Sequence, residues 1–174
     1  VEEKTEELSI RRGVLQPVGE SVDRGLMITV HHEGGLGYAA TSDLSVAGIR
    51  EAIKCAQGWA ISTGKSAIFD SDTLQLDHPV GSYRTPVEQS WEDAPLVEKI
   101  NLLKEVDQAL PSDKRIVDWS AALMSVRVYS LYLTNEGGEV EQQHEMLVPD
   151  ILAVANQGTE TQKRGFGGRG VSQQ

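Results

Sequence analysis

The chain has 174 residues, of which 39% are hydrophobic and 24% charged, which fits one globular domain with a core of its own. Its formal net charge of −10, with 16 Lys and Arg against 26 Asp and Glu, excludes a nucleic-acid surface, because a polyanion requires basic residues clustered on one face. No apolar run approaches the ~20 residues that span a bilayer, no signal peptide opens the sequence, and the one cysteine, Cys55, fits a reducing cytoplasm.

Residues 3–18 read as two strands around a turn at Arg11–Gly13, with Leu8 and Ile10 alternating against polar neighbours. The sequence opens inside that first strand, which implies a fragment that starts part-way into a domain. Leu26 to Val30 is the next strand. Gly34, Gly35 and Gly37 then make a glycine turn, followed by a brief strand at Tyr38, Ala39 and Ala40. Thr41, Ser42, Asp43 and Ser45 offer side-chain oxygens to a helix start, and the first helix is expected over 45–63. Ile49, Ile53, Ala56 and Ala60 form its apolar stripe. Cys55, spaced with Gly48, Ala52 and Trp59, reads as a small packing residue.

A polar connection follows from Gly64 to Gln89, with Phe69, Leu74, Leu76 and Val80 as anchors. Ser90 to Asp93 is a capping-box pattern ahead of a second helix, Pro95 to Leu110, whose apolar face is Leu96, Ile100, Leu103 and Val106. The acidic residues from Glu88 to Asp107 read as its solvated face. Four strands come next: Ile116–Met124, Val126–Thr134, Glu139–Met146 and Leu147–Asn156. A hairpin turn lies at Asn135–Gly138, where Gly137 and Gly138 are free to adopt positive φ. The expected fold is α+β, an antiparallel sheet packed with two main helices as a two-layer sandwich. The expected organisation is one domain over 1–157 and a glycine-rich tail or linker over 158–174.

The motifs that would carry chemistry fail one by one. Gly165, Gly167 and Gly170 spell GxGxxG, but no strand–turn–helix unit frames them to place a pyrophosphate on a helix N-terminus. Gly58 to Ser66 has one residue too many for a P-loop and follows a helix. His32–Glu33 and His144–Glu145 could begin an HExxH zinc site, yet positions 36 and 148 are Leu36 and Val148. His31 and His78 have no ligands at metal spacing either, so all four histidines read as solvated or structural. No GxSxG elbow is present. No catalytic, cofactor-binding or metal residue is assigned.

Several stretches together resemble the N-terminal domain of the TldD/PmbA family, described as modulators of DNA gyrase and as zinc metalloproteases. They are RRGVLQPVGESVDRGLMITVH at 11–31, GGLGYAATSDLSVAGIREAIKCA at 34–56, PLVEKINLLKEVDQAL at 95–110, and LTNEGGEVEQQHEMLVPDILAVANQGTETQKRGFGGRG at 133–170. The last is closer to the TldD branch. The resemblance implies a metallopeptidase parent that acts on a peptide or unfolded protein with zinc held on an HExxxH helix beyond this domain. That motif would put histidines at 37 and 149, where Gly37 and Pro149 stand, so this chain is expected to carry no zinc or other cofactor and no chemistry. The role implied for it is to line the substrate path and support a homodimer or a heterodimer with a partner subunit, without membrane or direct nucleic-acid contact. Arg164, Gly167, Gly168 and Arg169 match the family's glycine-rich segment and are carried over as weak substrate contacts. Tyr38, Thr41 and Asp43 match its helix-start motif and read as structural. The alternatives are a stand-alone protein- or peptide-binding module and an independent small enzyme with an unseen site.

Overall fold

The computed structural model describes residues 1–68 and 77–167. Within them the chain is α+β: β1 (Glu2–Arg11), β2 (Val14–Leu15), β3 (Gly19–Arg24), β4 (Leu26–His32), β5 (Gly35–Thr41), α1 (Val46–Gly64), β6 (Val80–Arg84), α2 (Leu96–Ala109), β7 (Ile116–Leu133), β8 (Glu139–Gln157) and β9 (Glu160–Gly167). One sheet runs β2-β1-β7-β8-β6, with β3 also on β1 and β9 also on β8. β4 and β5 form a separate antiparallel hairpin. The contacts divide the chain into two compact units. The first comprises Val1–Glu2, Asp23–Ser82 and Ser130–Glu141; the second comprises Glu3–Val22, Tyr83–Tyr129 and the chain from Gln142 on.

In the first unit, α1 packs on the β4–β5 hairpin. The two-residue turn Glu33–Gly34 has φ of 47° and 78°, the pair of positive values that a type I′ hairpin requires. Gly35 and Gly37 are not part of that turn; they are buried residues of β5. They are small because α1 lies directly against them: a methyl at Gly35 would land on the Ala60 carbonyl, and one at Gly37 on that of Ala56. The helix answers with Ala52, Ala56 and Ala60, all buried, flanked by half-buried Ile49 and Ile53. Thr63 Oγ1 donates to the Leu36 carbonyl at 2.8 Å and accepts the Leu36 N–H at 3.0 Å. At the other end Ser45 accepts the Gly48 N–H, Asp43 the Ser45 N–H and Thr41 the Asp43 N–H, the expected cap. Cys55 is exposed and Trp59 is 57% exposed, which corrects the packing role expected for Cys55. Their positions are rotated off the small-residue stripe that meets the strands.

In the second unit, Leu8 and Ile10 of β1, Leu103 of α2 and Ala121 and Leu123 of β7 form the core, with Trp91, Val106, Leu110 and Leu147 packed around it. The inner face of α2 differs from the expected one. Leu96 is 49% exposed, whereas Lys99 and Asp107 are each only 5% exposed beside Leu103. Asp107 therefore does not belong to a solvated acidic face. The expected capping box caps a single 3-10 turn, Trp91–Asp93, while α2 starts at Leu96 behind an N-cap, Pro95, that makes no side-chain cap hydrogen bond.

The expected pairs of strands at 116–134 and 139–156 are each one long strand, of 18 and 19 residues. At the turn between them only Gly137 has positive φ, 93°; Gly138 instead donates its N–H to Thr134 Oγ1. The polar connection after α1 contains β6, in which Val80 is 76% exposed and anchors nothing. Phe69, Leu74 and Leu76 lie outside the described residues. In the glycine-rich tail, residues 160–167 pair with β8 in register from Gln157↔Glu160 to Asp150↔Gly167.

Candidate functional site

The densest polar arrangement in the second unit surrounds Trp91. Its backbone N–H donates to Glu145 Oε1 at 2.8 Å, and its indole Nε1 donates to Glu6 Oε1 at 3.1 Å. Lys99 Nζ sits 3.0 Å from both Glu6 oxygens and 4.9 Å from the centroid of the Trp91 ring. A buried ammonium needs such company, because desolvation is repaid only by a paired and hydrogen-bonded partner. Glu145, in the middle of β8, also accepts Ser90 Oγ at 3.0 and 3.1 Å through its two oxygens. Its own backbone N–H donates to Thr85 Oγ1 at 3.2 Å. The segment from Thr85 to Ala94 is thus strapped to β8 at two points, by Thr85 through the backbone of Gln143 and Glu145 and by Ser90 and Trp91 through the Glu145 carboxylate.

Two open clefts meet at Trp91. The larger, ≈ 400 Å³, lies between the strap, α2 and β8. Apolar Val87, Leu102, Met146 and Leu147 share its wall with the carboxylates of Glu88, Glu98 and Glu145. The smaller, ≈ 320 Å³, is lined by β1, β3, β7 and the far side of Trp91. There Arg127 pairs with Glu92, whose carboxyl is held below its usual range chiefly by that hydrogen bond. The Arg127 Nε is buried without a hydrogen-bond partner among the described residues.

A second polar knot joins α2 to the start of the sheet. Asp107 Oδ1 accepts the Gly13 N–H at 3.1 Å and Trp119 Nε1 at 2.8 Å. Arg12 lies over the Trp119 ring, and Arg11 pairs with Asp118, lowering its carboxyl pKa. These contacts are structural: the groups are engaged with one another and line neither cleft at Trp91.

The four histidines do not converge. His32 ends β4; His31, next to it, has its Nδ1 buried without a hydrogen-bond partner among the described residues. His78 bonds Thr134 Oγ1 and Glu136 in the first unit, and His144 meets the Tyr83 ring in the second. Among the described residues no three His, Cys, Asp or Glu side chains gather as metal ligands, so the donors present do not fit a zinc site. No helix among the described residues is long and apolar enough to cross a membrane.

Of the residues matched to the glycine-rich segment, Arg164 is exposed on β9 opposite Ala153. Gly167 ends that strand with φ of 108°, where a methyl would strike the Pro149 carbonyl. Gly168 and Arg169, with Gly170, lie outside the described residues. The structure does not bring Arg164 and Gly167 to either cleft at Trp91. That site went unread because its parts, Glu6, Trp91, Lys99 and Glu145, are scattered along the sequence. The one available signal was Lys99 interrupting the apolar face of α2 one turn before Leu103.

Comparison with known proteins gives a consistent result. Residues 1–60 match the model of PmbA/TldA metallopeptidase domain 1, and residues 89–173 match that of the PmbA/TldA metallopeptidase central domain. No curated protein matches the chain. Crystal structures share the fold. A candidate modulator of a DNA gyrase from Thermotoga maritima superposes with a TM-score of 0.69 at 17% identity, over 94% of this chain and 36% of that one. A candidate modulator of DNA gyrase from Bacteroides thetaiotaomicron gives 0.69 at 14%, over 94% and 38%. TldE from Thermococcus kodakarensis gives 0.65 at 20%, over 95% and 38%. The chain therefore spans little more than a third of the solved proteins it matches. With both family models covering most of its length, the chain belongs to the TldD/PmbA family.

Proposed function

We propose that this chain is the non-catalytic N-terminal part of a TldD-like zinc metallopeptidase, lining the path of a peptide or unfolded-protein substrate and supporting dimerisation. Hydrolysis then belongs to the remainder of the polypeptide, where a zinc ion would activate the attacking water. The observation that carries this reading is the match to the first and central domains of a metallopeptidase family, in a chain covering 36–38% of two solved relatives. In the same reading Arg164, Gly167, Gly168 and Arg169 touch the substrate, and the segment from residue 158 leads toward the catalytic part. The single cysteine, Cys55, a free thiol, suits a cytoplasmic protein.

Elemental analysis tests the reading. It predicts no stoichiometric zinc on the purified 174-residue chain and about one zinc per chain on the full-length parent. An unfolded peptide would be cleaved only by the parent, and cleavage would stop when a chelator removes the metal. Zinc bound stoichiometrically by this chain alone, or a metal-free parent that still cleaves peptide, would overturn it.

A further inference from the structure

We propose that the ≈ 400 Å³ cleft beside Trp91 is a docking site for an arginine side chain carried on an extended peptide with apolar neighbours. The proposal holds wherever hydrolysis takes place. It rests on how the charges of the cleft are already committed. The one cation in the wall among the described residues, Lys99, is 5% exposed and bound through its ammonium to both oxygens of Glu6, so its hydrogen-bonded ion pair is made with a carboxylate outside the cleft. Among the described residues Glu88, Glu98 and Glu145 have no ion-pair partner. The wall thus presents three uncompensated carboxylates over apolar side chains, in a chain of net charge −10.

Glu145 gives the site its geometry. A backbone N–H and a hydroxyl, both neutral donors, fix its carboxylate without cancelling its charge. Two donors leave lone pairs free on a carboxylate. A guanidinium suits such an acceptor better than an ammonium. It is planar and bidentate toward carboxylates, and it gives up its hydration more readily in a cleft walled by Leu102, Met146 and Leu147. The apolar wall takes the side-chain stem and the neighbouring residues. A peptide with glutamate in place of arginine would meet like charge at Glu88, Glu98 and Glu145.

The test is fluorescence anisotropy of a labelled peptide, Gly-Leu-Arg-Leu-Gly with blocked ends, titrated with the whole 174-residue chain. The citrulline peptide, equal in shape but uncharged, serves as the control. Two variants probe the cleft: Glu145→Gln keeps acceptors for Ser90 and Trp91, and Leu102→Lys places an ammonium at a half-exposed position without touching that frame. Glu51→Gln, on the outside of α1, is the reference. The proposal expects saturable binding of the arginine peptide that weakens with salt. It expects at least a tenfold loss for citrulline, Glu145→Gln and Leu102→Lys, and no change for Glu51→Gln. Equal binding of arginine and citrulline peptides, absence of binding to the folded chain, or full affinity in Leu102→Lys would each overturn it.

Discussion

At the scale of single residues, four positions separate what a side chain contributes from what its type suggests. Gly35 and Gly37 have ordinary backbone conformations, so their value lies wholly in the missing methyl. Gly37→Ala must push α1 off β5, because the obstacle is the Ala56 carbonyl and not a flexible side chain. Urea unfolding should show a loss of about 2–4 kcal/mol, in the range of severe overpacking. Asp107→Ala removes one acceptor and strands two donors, the Gly13 N–H and the Trp119 indole N–H. A loss of about 2–3 kcal/mol is expected in the same assay, with a shift in near-ultraviolet circular dichroism as Trp119 loosens. Cys55, exposed on α1, should react fully with a thiol reagent in the native state; protection until unfolding would contradict its placement.

At the scale of elements, the buried pair of Lys99 and Glu6 joins α2 to β1. Lys99→Met leaves Glu6 facing the core with only the Trp91 indole as donor, a loss of about 2–4 kcal/mol. Adding Glu6→Gln to it should recover part of that, and the double-mutant cycle measures the coupling. The surface carboxylates predict an acid limb. Asp113 is lowered from 3.8 to about 2 by its hydrogen bonds with Arg115, and Asp43 and Asp118 are lowered by Ser45 and Arg11. A carboxyl depressed in the folded state stabilises it above the ordinary carboxyl range, and the benefit disappears as pH falls through the folded value. The Tm should therefore fall between pH 4 and 2. Arg115→Gln should reduce the fall over that window; an unchanged profile would contradict the assignment.

The elements themselves were largely legible. The cap at Thr41–Ser45, the strand at Leu26–Val30 and the helix before Gly64 follow from local chemistry that tertiary contacts only reinforce. What was not legible depends on long-range partners. The inner face of α2 could not be read correctly because a lysine becomes a core residue only where a glutamate 93 residues earlier meets it. The apparent break near Met124 to Val126 is spanned because β1 and β8 pair along β7 on both sides. The tail looked structureless, since Glu160 to Gly167 has no apolar alternation, yet backbone pairing with β8 makes it a strand. The clefts at Trp91 were invisible for the same reason as Lys99.

At the scale of the whole molecule, neither compact unit is a continuous stretch of chain. Each is assembled from three segments, and β7 and β8 contribute residues to both. The family models divide the sequence at 60 and 89, which is not where the contacts divide it. Truncation at residue 60 or a start at residue 89 should therefore give aggregating, poorly folded products, whereas the 1–174 chain unfolds cooperatively; circular dichroism and size-exclusion chromatography on the three would decide. The interleaving also sets the order of events on the ribosome. The pair of Arg11 and Asp118 closes a separation of 107 residues, and Leu8 and Ile10 wait for Ala121 and Leu123 to leave the exit tunnel. At ~5–20 residues per second, that leaves β1 without its core partners for roughly 6–22 seconds. For that interval the charges of Glu2, Glu3, Glu6 and Glu7 are its protection, keeping a nascent strand soluble until the sheet that needs it exists.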